Sequence, residues 1–126
     1  MKPLPLAVHT AAQVRALDRH AIEDLHIPSY TLMTQAGEAA AVALRSCWPS
    51  KQRIVVVCGP GNNGGDGYVL ARLTQAMRID VTVVSVSDTA QLRGDAKRAH
   101  DDFVAAGGVV QSWSDGCLAN AEVIVD

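Results

Sequence analysis

Apolar residues fall along this chain in two patterns, and the points where one gives way to the other mark its elements. After Thr10-Ala-Ala-Gln13, which has the form of a capping box, Val14, Leu17, Ala21 and Leu25 recur at helical spacing until Ile27-Pro28 stops the run. A helix over about residues 11 to 26 is predicted. A second helix is predicted from near Thr31 to Cys47, where Leu32, Met33, Ala36, Ala40, Ala43 and Leu44 form a mostly alanine stripe that permits close packing, and Trp48-Pro49 ends it. Gly37 lowers the propensity of that helix by roughly 1 kcal/mol relative to alanine, so something is expected to press on its backbone, either core or the wall of a cleft.

The pattern then changes. Ile54 to Val57 is continuously apolar with no alternation, as in a strand buried on both faces of a parallel sheet. A glycine-rich stretch follows, and from Asp66 to Met77 the residues Val69, Leu70, Leu73, Ala76 and Met77 share one helical face. Beyond an Arg78-Ile79-Asp80 turn, Val81 to Val86 reads as a second buried strand and completes a β-α-β unit, whose right-handed crossover makes the strands parallel. A helix is predicted over Asp95 to Ala106, with Ala96, Ala99, Phe103 and Val104 inward and Gly107-Gly108 ending it. Its charges, Lys97, Arg98, Asp101 and Asp102, read as a solvated face. Val109 to Gln111 is a short strand, Trp113 to Asn120 is irregular, and Glu122 to Val125 is a last strand. The fold class is α/β: a three-layer, Rossmann-like domain with a mainly parallel sheet, preceded by two helices.

Composition narrows the partners. The chain has 126 residues, enough for one domain with one core. Hydrophobic residues make up 48% but aromatics only 4%, so stacking platforms for single-stranded nucleic acid are absent. A net charge of −2 with mixed signs gives no electrostatic reason to expect nucleic acid or an anionic membrane. Cys47, Cys58 and Cys117 form no C-x-x-C pair, and His9, His20, His26 and His100 lack ligand spacing, so no disulfide framework or zinc site is signalled. Met1 to Val8 is too short and too proline-broken for a signal peptide or a membrane span, and a cytoplasmic location is expected. A small-molecule partner fits best, and homo-oligomerisation stays open.

Candidate chemistry concentrates at Arg53 to Gly67, RIVVVCGPGNNGGDG. Gly59, Gly61, Gly64, Gly65 and Gly67 remove side chains that would hold a ligand off the main chain and permit positive φ, and the loop abuts a helix N-terminus that favours anions. Gly59, Gly61 and Gly64 satisfy the dinucleotide spelling G-x-G-x-x-G, yet Val84, Ser85 and Val86 stand where the ribose-binding acid belongs and Asp88 comes late. An ordinary dehydrogenase is thereby demoted. A P-loop is disfavoured too, because Gly65 and Asp66 occupy the places of its lysine and Ser/Thr. A plain glycine turn between strand and helix would account for the glycines, but not for two amides and a carboxylate beside them. At the other end of the chain, Asp126 closes a parallel strand and points toward the same sheet edge as the glycine loop, so Asp66 and Asp126 are expected to face one cleft.

Asn62 to Gly67 resembles the NNGGDG signature of the NAD(P)H-hydrate epimerase family, the YjeF N-terminal domain. Leu32-Met33-Thr34-Gln35-Ala36-Gly37 resembles that family's LM-x-x-AG segment, with Thr34 where glutamate is common, and Glu122 to Asp126 resembles the start of its VDALxGxG stretch. The resemblance implies epimerisation of R and S hydrated NADH and NADPH (NADHX and NADPHX), the dinucleotide being substrate rather than cofactor. It implies that Asn62, Asn63, Gly64, Gly65 and Asp66 line the substrate, and that Asn63 and Asp126 supply oxygens to a potassium ion. Asp66 and Asp126 are the candidates for catalytic acid and base, with no choice between them. It further implies that residues 1–126 are one domain cut short at its C-terminal side, inactive alone, with an ADP- or ATP-dependent dehydratase domain following in some relatives. The alternative is a non-catalytic dinucleotide- or protein-binding scaffold of the same fold, which the retention of Asn62, Asn63 and Asp66 disfavours.

Overall fold

A computed structural model of the chain describes residues 7–126. The reading of Met1 to Val8 falls largely outside them. The chain forms two compact units, one reaching to Leu32 and one from Met33 to Asp126.

The first unit contains helix α1 (Ala11–Glu23) and the start of α2 (Ser29–Cys47). The capping box is present: Gln13 N–H donates to Thr10 Oγ1 at 3.2 Å, and Thr10 N–H donates to the Gln13 side chain at 2.8 Å. The helix stops before the expected residue 26, because His26 adopts a left-handed backbone, φ 54°. No residue of α1 is buried, and Val14, Leu17 and Leu25 are about half exposed.

The second unit is an α/β layer structure. Strands β1 (Arg53–Cys58), β2 (Asp80–Ser85), β3 (Val109–Ser112) and β4 (Val123–Val125) form one sheet in the order β3-β2-β1-β4, every pair parallel. Helices α3 (Asn62–Ala76) and α4 (Gly94–Ala105) make the crossovers β1-α3-β2 and β2-α4-β3. The β1–β2 register runs from Arg53 opposite Asp80 to Cys58 opposite Ser85, which aligns their carboxyl ends at the glycine stretch. Ile54, Val56, Cys58, Val81, Val83 and Ser85 share one face, and Val56 and Cys58 lie beneath Gly67 of α3. Tyr68 of α3 is fully buried and meets His100 of α4 edge to face, ring centroids 5.2 Å apart, with Phe103 beside it. Gly107 takes φ 86° just past α4, the left-handed exit that glycine permits, and Gly108 N–H donates back to Phe103 O.

Two differences from the sequence reading concern the glycine stretch. Helix α3 begins at Asn62, not at Asp66, so the NNGGDG segment forms the first turns of the helix. None of its glycines has positive φ; the left-handed glycines are Gly94, Gly107 and Gly116. The reason the glycines are needed is packing, not backbone conformation. A Cβ on Gly64 would overlap the Gly59 carbonyl, one on Gly65 would sit 2.8 Å from Met33 Sδ, and one on Gly67 would sit 2.8 Å from Cys58 Sγ. Gly37 is explained likewise, since a Cβ there would lie 2.7 Å from Val69 Cβ. Helix α2 from Met33 onward is thereby held against α3 at two glycines, one on each helix.

Candidate functional site at the carboxyl edge of the sheet

Among the described residues, one cavity gathers the carboxylates and an amide of the glycine stretch and the last strand. It has a volume of about 200 Å³ and opens where β1 and β4 end. Val56 and Val57 of β1 and Val125 of β4 form its base, and Ala36 and Ala40 of α2 form one wall. Asn63, Asp66 and Asp126 supply the polar side chains. The small residues of the α2 stripe leave this space: Gly37 presses on Val69 in the core while Ala36, one position before it, faces the cavity. At Gly37 the core reading holds, and the wall of the cavity is formed by Ala36 and Ala40 instead.

The polar groups reach the cavity from distant parts of the chain by simple geometry. Val56 pairs with Val125, so Asp126 comes level with Val57 as the strand ends. Asn63 and Asp66 are three residues apart at the start of α3 and so share a helical face. The expected meeting of Asp66 and Asp126 at one cleft is realised. Asn62 is exposed outside the cavity, and Gly64 and Gly65 are buried and do not line it.

The helix start adds donors. Gly61 is the N-cap of α3, with no side chain bonded to the cap, and the ladder opens with Gly65 N–H to Gly61 O at 3.1 Å. The N–H groups of Asn62, Asn63 and Gly64 precede that ladder and point out of the helix end, where the macrodipole favours an anion. A Cβ on Gly59 or Gly61 would meet nothing within 4 Å, so open space lies over this part of the stretch. Burial pushes the Cys58 thiol up to about 12, which disfavours its thiolate at neutral pH.

A larger cavity, about 280 Å³, is lined by Arg53, Asp80, Gln111 and Asn120, near the amino ends of β1 and β2. Open α/β sheets bind ligands at the opposite, carboxyl edge, and the smaller cavity is the one that holds the candidate residues. Its volume is below the roughly 300–1,000 Å³ of pockets that enclose a drug-sized ligand. It is the size of a single ring, and open space continues over Gly59 and Gly61.

A parallel sheet in the order β3-β2-β1-β4, with a cleft and a helix N-terminus at its carboxyl edge, defines a Rossmann-like α/β domain. Residues 29–126 match the family model described as YjeF-related protein N-terminus, and the chain belongs to that family. It is 45% identical over 114 residues to the bifunctional NAD(P)H-hydrate repair enzyme Nnr of Coxiella burnetii, an alignment covering 90% of this chain and 23% of that protein. It is 34% identical over 131 residues to the NAD(P)H-hydrate epimerase of Rhodopirellula baltica, covering all of this chain and 53% of that one. The chain thus spans about a quarter to a half of the length of these relatives. A crystal structure of the yeast protein ynu0 shares the fold, with a TM-score of 0.77 at 23% identity over 89% of this chain and 49% of that one. No helix among the described residues is long and apolar enough to cross a membrane.

Sequence reasoning missed Glu122. Its carboxylate Oε2 accepts from Gln52 N–H and Arg53 N–H, both at 3.0 Å, at the start of β1. The acid was passed over as the first residue of a strand, because its partners are backbone groups some seventy positions away.

Proposed function

We propose that this chain supplies the substrate-binding and acid–base residues of an NAD(P)H-hydrate epimerase, which interconverts the R and S forms of NADHX and NADPHX in a cytoplasmic repair of nicotinamide nucleotides. What carries the reading is the convergence of Asn63, Asp66 and Asp126, from two separate elements, on one cavity at the carboxyl edge of the sheet. A scaffold has no use for two carboxylates held together there, since like charges at one site repel.

Residue roles follow from position. The diphosphate lies over Gly59 and Gly61, where no side chain intrudes, and accepts from the N–H groups at the start of α3. Gly64 and Gly65 act indirectly, by letting that helix end seat against Gly59, Met33 and Ala96. Asn62 flanks the ligand from the exposed rim. The hydrated nicotinamide ring enters the cavity against Ala36 and Ala40, beside Asp66 and Asp126.

The residues present fit a potassium ion. Asn63 offers an amide oxygen and Asp126 a carboxylate, hard donors suited to a hard cation, and both line the cavity. Such an ion, held by Asn63 and Asp126, would supply positive charge to offset the two carboxylates and the diphosphate. The chain's own work is acid–base. One of Asp66 and Asp126 protonates the departing hydroxyl at the hydrated carbon and then takes a proton from the water that returns to the opposite face, leaving no net change. Ring opening would instead have a carboxylate take the hydroxyl proton and hand it to the ring nitrogen as the C–N bond breaks, with the reverse transfers closing the ring on the other face.

The test is R/S exchange of NADHX by the protein, followed by chromatography, in potassium and in sodium. Exchange that is faster in potassium supports the reading. A protein that binds ADP-ribose at Gly59 to Asp66 but never exchanges the two forms is a binding module, and the enzymatic reading is then wrong.

A further inference from the structure

NADHX and NADPHX differ only by a phosphate on the 2′-oxygen of the adenosine ribose, so discrimination between them must come from the side chains beside that ribose. The order β3-β2-β1-β4 places β2 and β4 on opposite sides of β1. On the reading given above, the hydrated ring lies on the β4 side, beside Asp66 and Asp126, and the diphosphate crosses the start of α3. The adenosine half then extends toward the carboxyl end of β2 and the start of α4. The two helix starts stand abreast. A Cβ on Gly65 would lie 3.1 Å from Ala96 Cα, and the N-caps Gly61 and Arg93 each sit about one turn ahead of that contact. Helices packed together have axes roughly 8–10 Å apart, a gap that one ribose spans between a diphosphate and a 2′ substituent.

The segment after β2 offers a cation there and no carboxylate free for the ribose. The position just past the strand, where an acid would take the ribose hydroxyl of an NAD-type ligand, is Val86. Ser85 is buried, and its hydroxyl donates to Ser87 O at 2.8 Å. Asp88 is engaged in the turn that follows: its Oδ1 accepts from Ala90 N–H at 2.9 Å, capping a single-turn helix at Thr89–Gln91. Arg93 is exposed, and its Nη1 donates to Ala90 O at 2.9 Å and to Leu92 O at 2.7 Å. No ion pair among the described residues involves it. Lys97, the next cation along α4, is already paired with Asp101. The two carbonyls hold the planar guanidinium by one corner and leave Nε and Nη2 to donate, a fork that matches a phosphate. We infer that Arg93 is a specificity-determining residue: it takes the 2′-phosphate of the adenosine ribose, and the site prefers NADPHX to NADHX.

The experiment titrates wild type, Arg93→Ala and Arg93→Lys with ADP-ribose and with 2′-phospho-ADP-ribose. Wild type is expected to bind the phosphorylated ligand about tenfold more tightly, the scale of one charge-assisted hydrogen bond. Arg93→Ala should erase that advantage by weakening the phosphorylated ligand alone, whereas a residue that merely holds up the turn would weaken both ligands together. Arg93→Lys, which keeps the charge without the fork, should keep part of the advantage. In R/S exchange the preference for NADPHX should appear in KM and not in kcat, because the phosphate lies far from the reacting carbon. Equal affinity of wild type for the two ligands overturns the proposal, as does an undiminished phosphate preference in Arg93→Ala. Tighter binding of ADP-ribose also overturns it, and would mean that Asp88 or Asp95 takes the ribose hydroxyl. A protein that binds neither ligand refutes this proposal together with the diphosphate site. A phosphate preference that depends on Arg93, in a protein that never exchanges the R and S forms, would defeat the epimerase reading alone.

Discussion

The glycine stretch and the α3 start divide into two regions that look alike in sequence and differ in space. Gly59 and Gly61 face a void in which an added Cβ would meet nothing within 4 Å. Gly64, Gly65 and Gly67 are wedged against a carbonyl, a methionine and a cysteine. The first pair leaves room for a ligand and the second set lets the helix bearing Asn63 and Asp66 sit down on the sheet. A glycine-rich motif is therefore two devices in series, one for access and one for seating, and substitutions can separate them.

The largest effect is expected at Gly64. Gly64→Ala places a methyl into the Gly59 carbonyl, a backbone obstacle that cannot rotate aside, and should cost about 3 kcal/mol or more in a denaturant melt. Loss of binding in that variant would report unfolding as much as occlusion. The cleaner probe of access is Gly61→Val. Gly61 has φ −93° and ψ −170°, which any residue adopts, so its loss as an N-cap should cost under about 1 kcal/mol. Affinity for ADP-ribose should nevertheless fall about tenfold or more, as a well-placed anion contact of about 1.4 kcal/mol is lost. If titration finds full affinity in Gly61→Val, the diphosphate does not cross that glycine and the division into access and seating fails.

A smaller effect distinguishes the two ends of β4. The folded-state value of Glu122 is lowered by the Gln52 and Arg53 N–H bonds. Its contribution to stability is then present above the unfolded value near 4.5 and is lost as pH falls through the depressed folded value. Thermal melts from pH 7 to pH 3 should show a shallower acid decline for Glu122→Gln than for wild type. Identical declines would mean that the clamp contributes nothing to the folded state.

Much of this was legible in the sequence, for reasons that can be located. The continuous runs at Ile54 to Val57 and Val81 to Val86 could only be strands buried in a parallel sheet, and their parallel order placed the glycine stretch and Asp126 at one edge. The Thr10 to Gln13 capping box formed as spelled. The helix start was misplaced by four residues because Asn-Asn-Gly-Gly has poor helix propensity, and tertiary seating of Gly64 and Gly65 overrides it. The helical spacing of Val14 and Leu17 predicted α1, and both side chains are exposed, since periodicity tells which residues share a face and not what covers it. The clamp at Glu122 left no local trace, because a carboxylate bonded to backbone N–H groups demands no particular side chains opposite.

The central claim, that Asp126 works in the cavity and does not hold up the fold, is tested most directly by Asp126→Ala in the protein. R/S exchange of NADHX in potassium and sodium would be measured beside a denaturant melt. Removing an exposed strand-end carboxylate should change stability by no more than about 0.5 kcal/mol. The account predicts that exchange and its preference for potassium disappear together while the melt is unchanged. Wild-type exchange rates with the potassium preference intact in Asp126→Ala would contradict it.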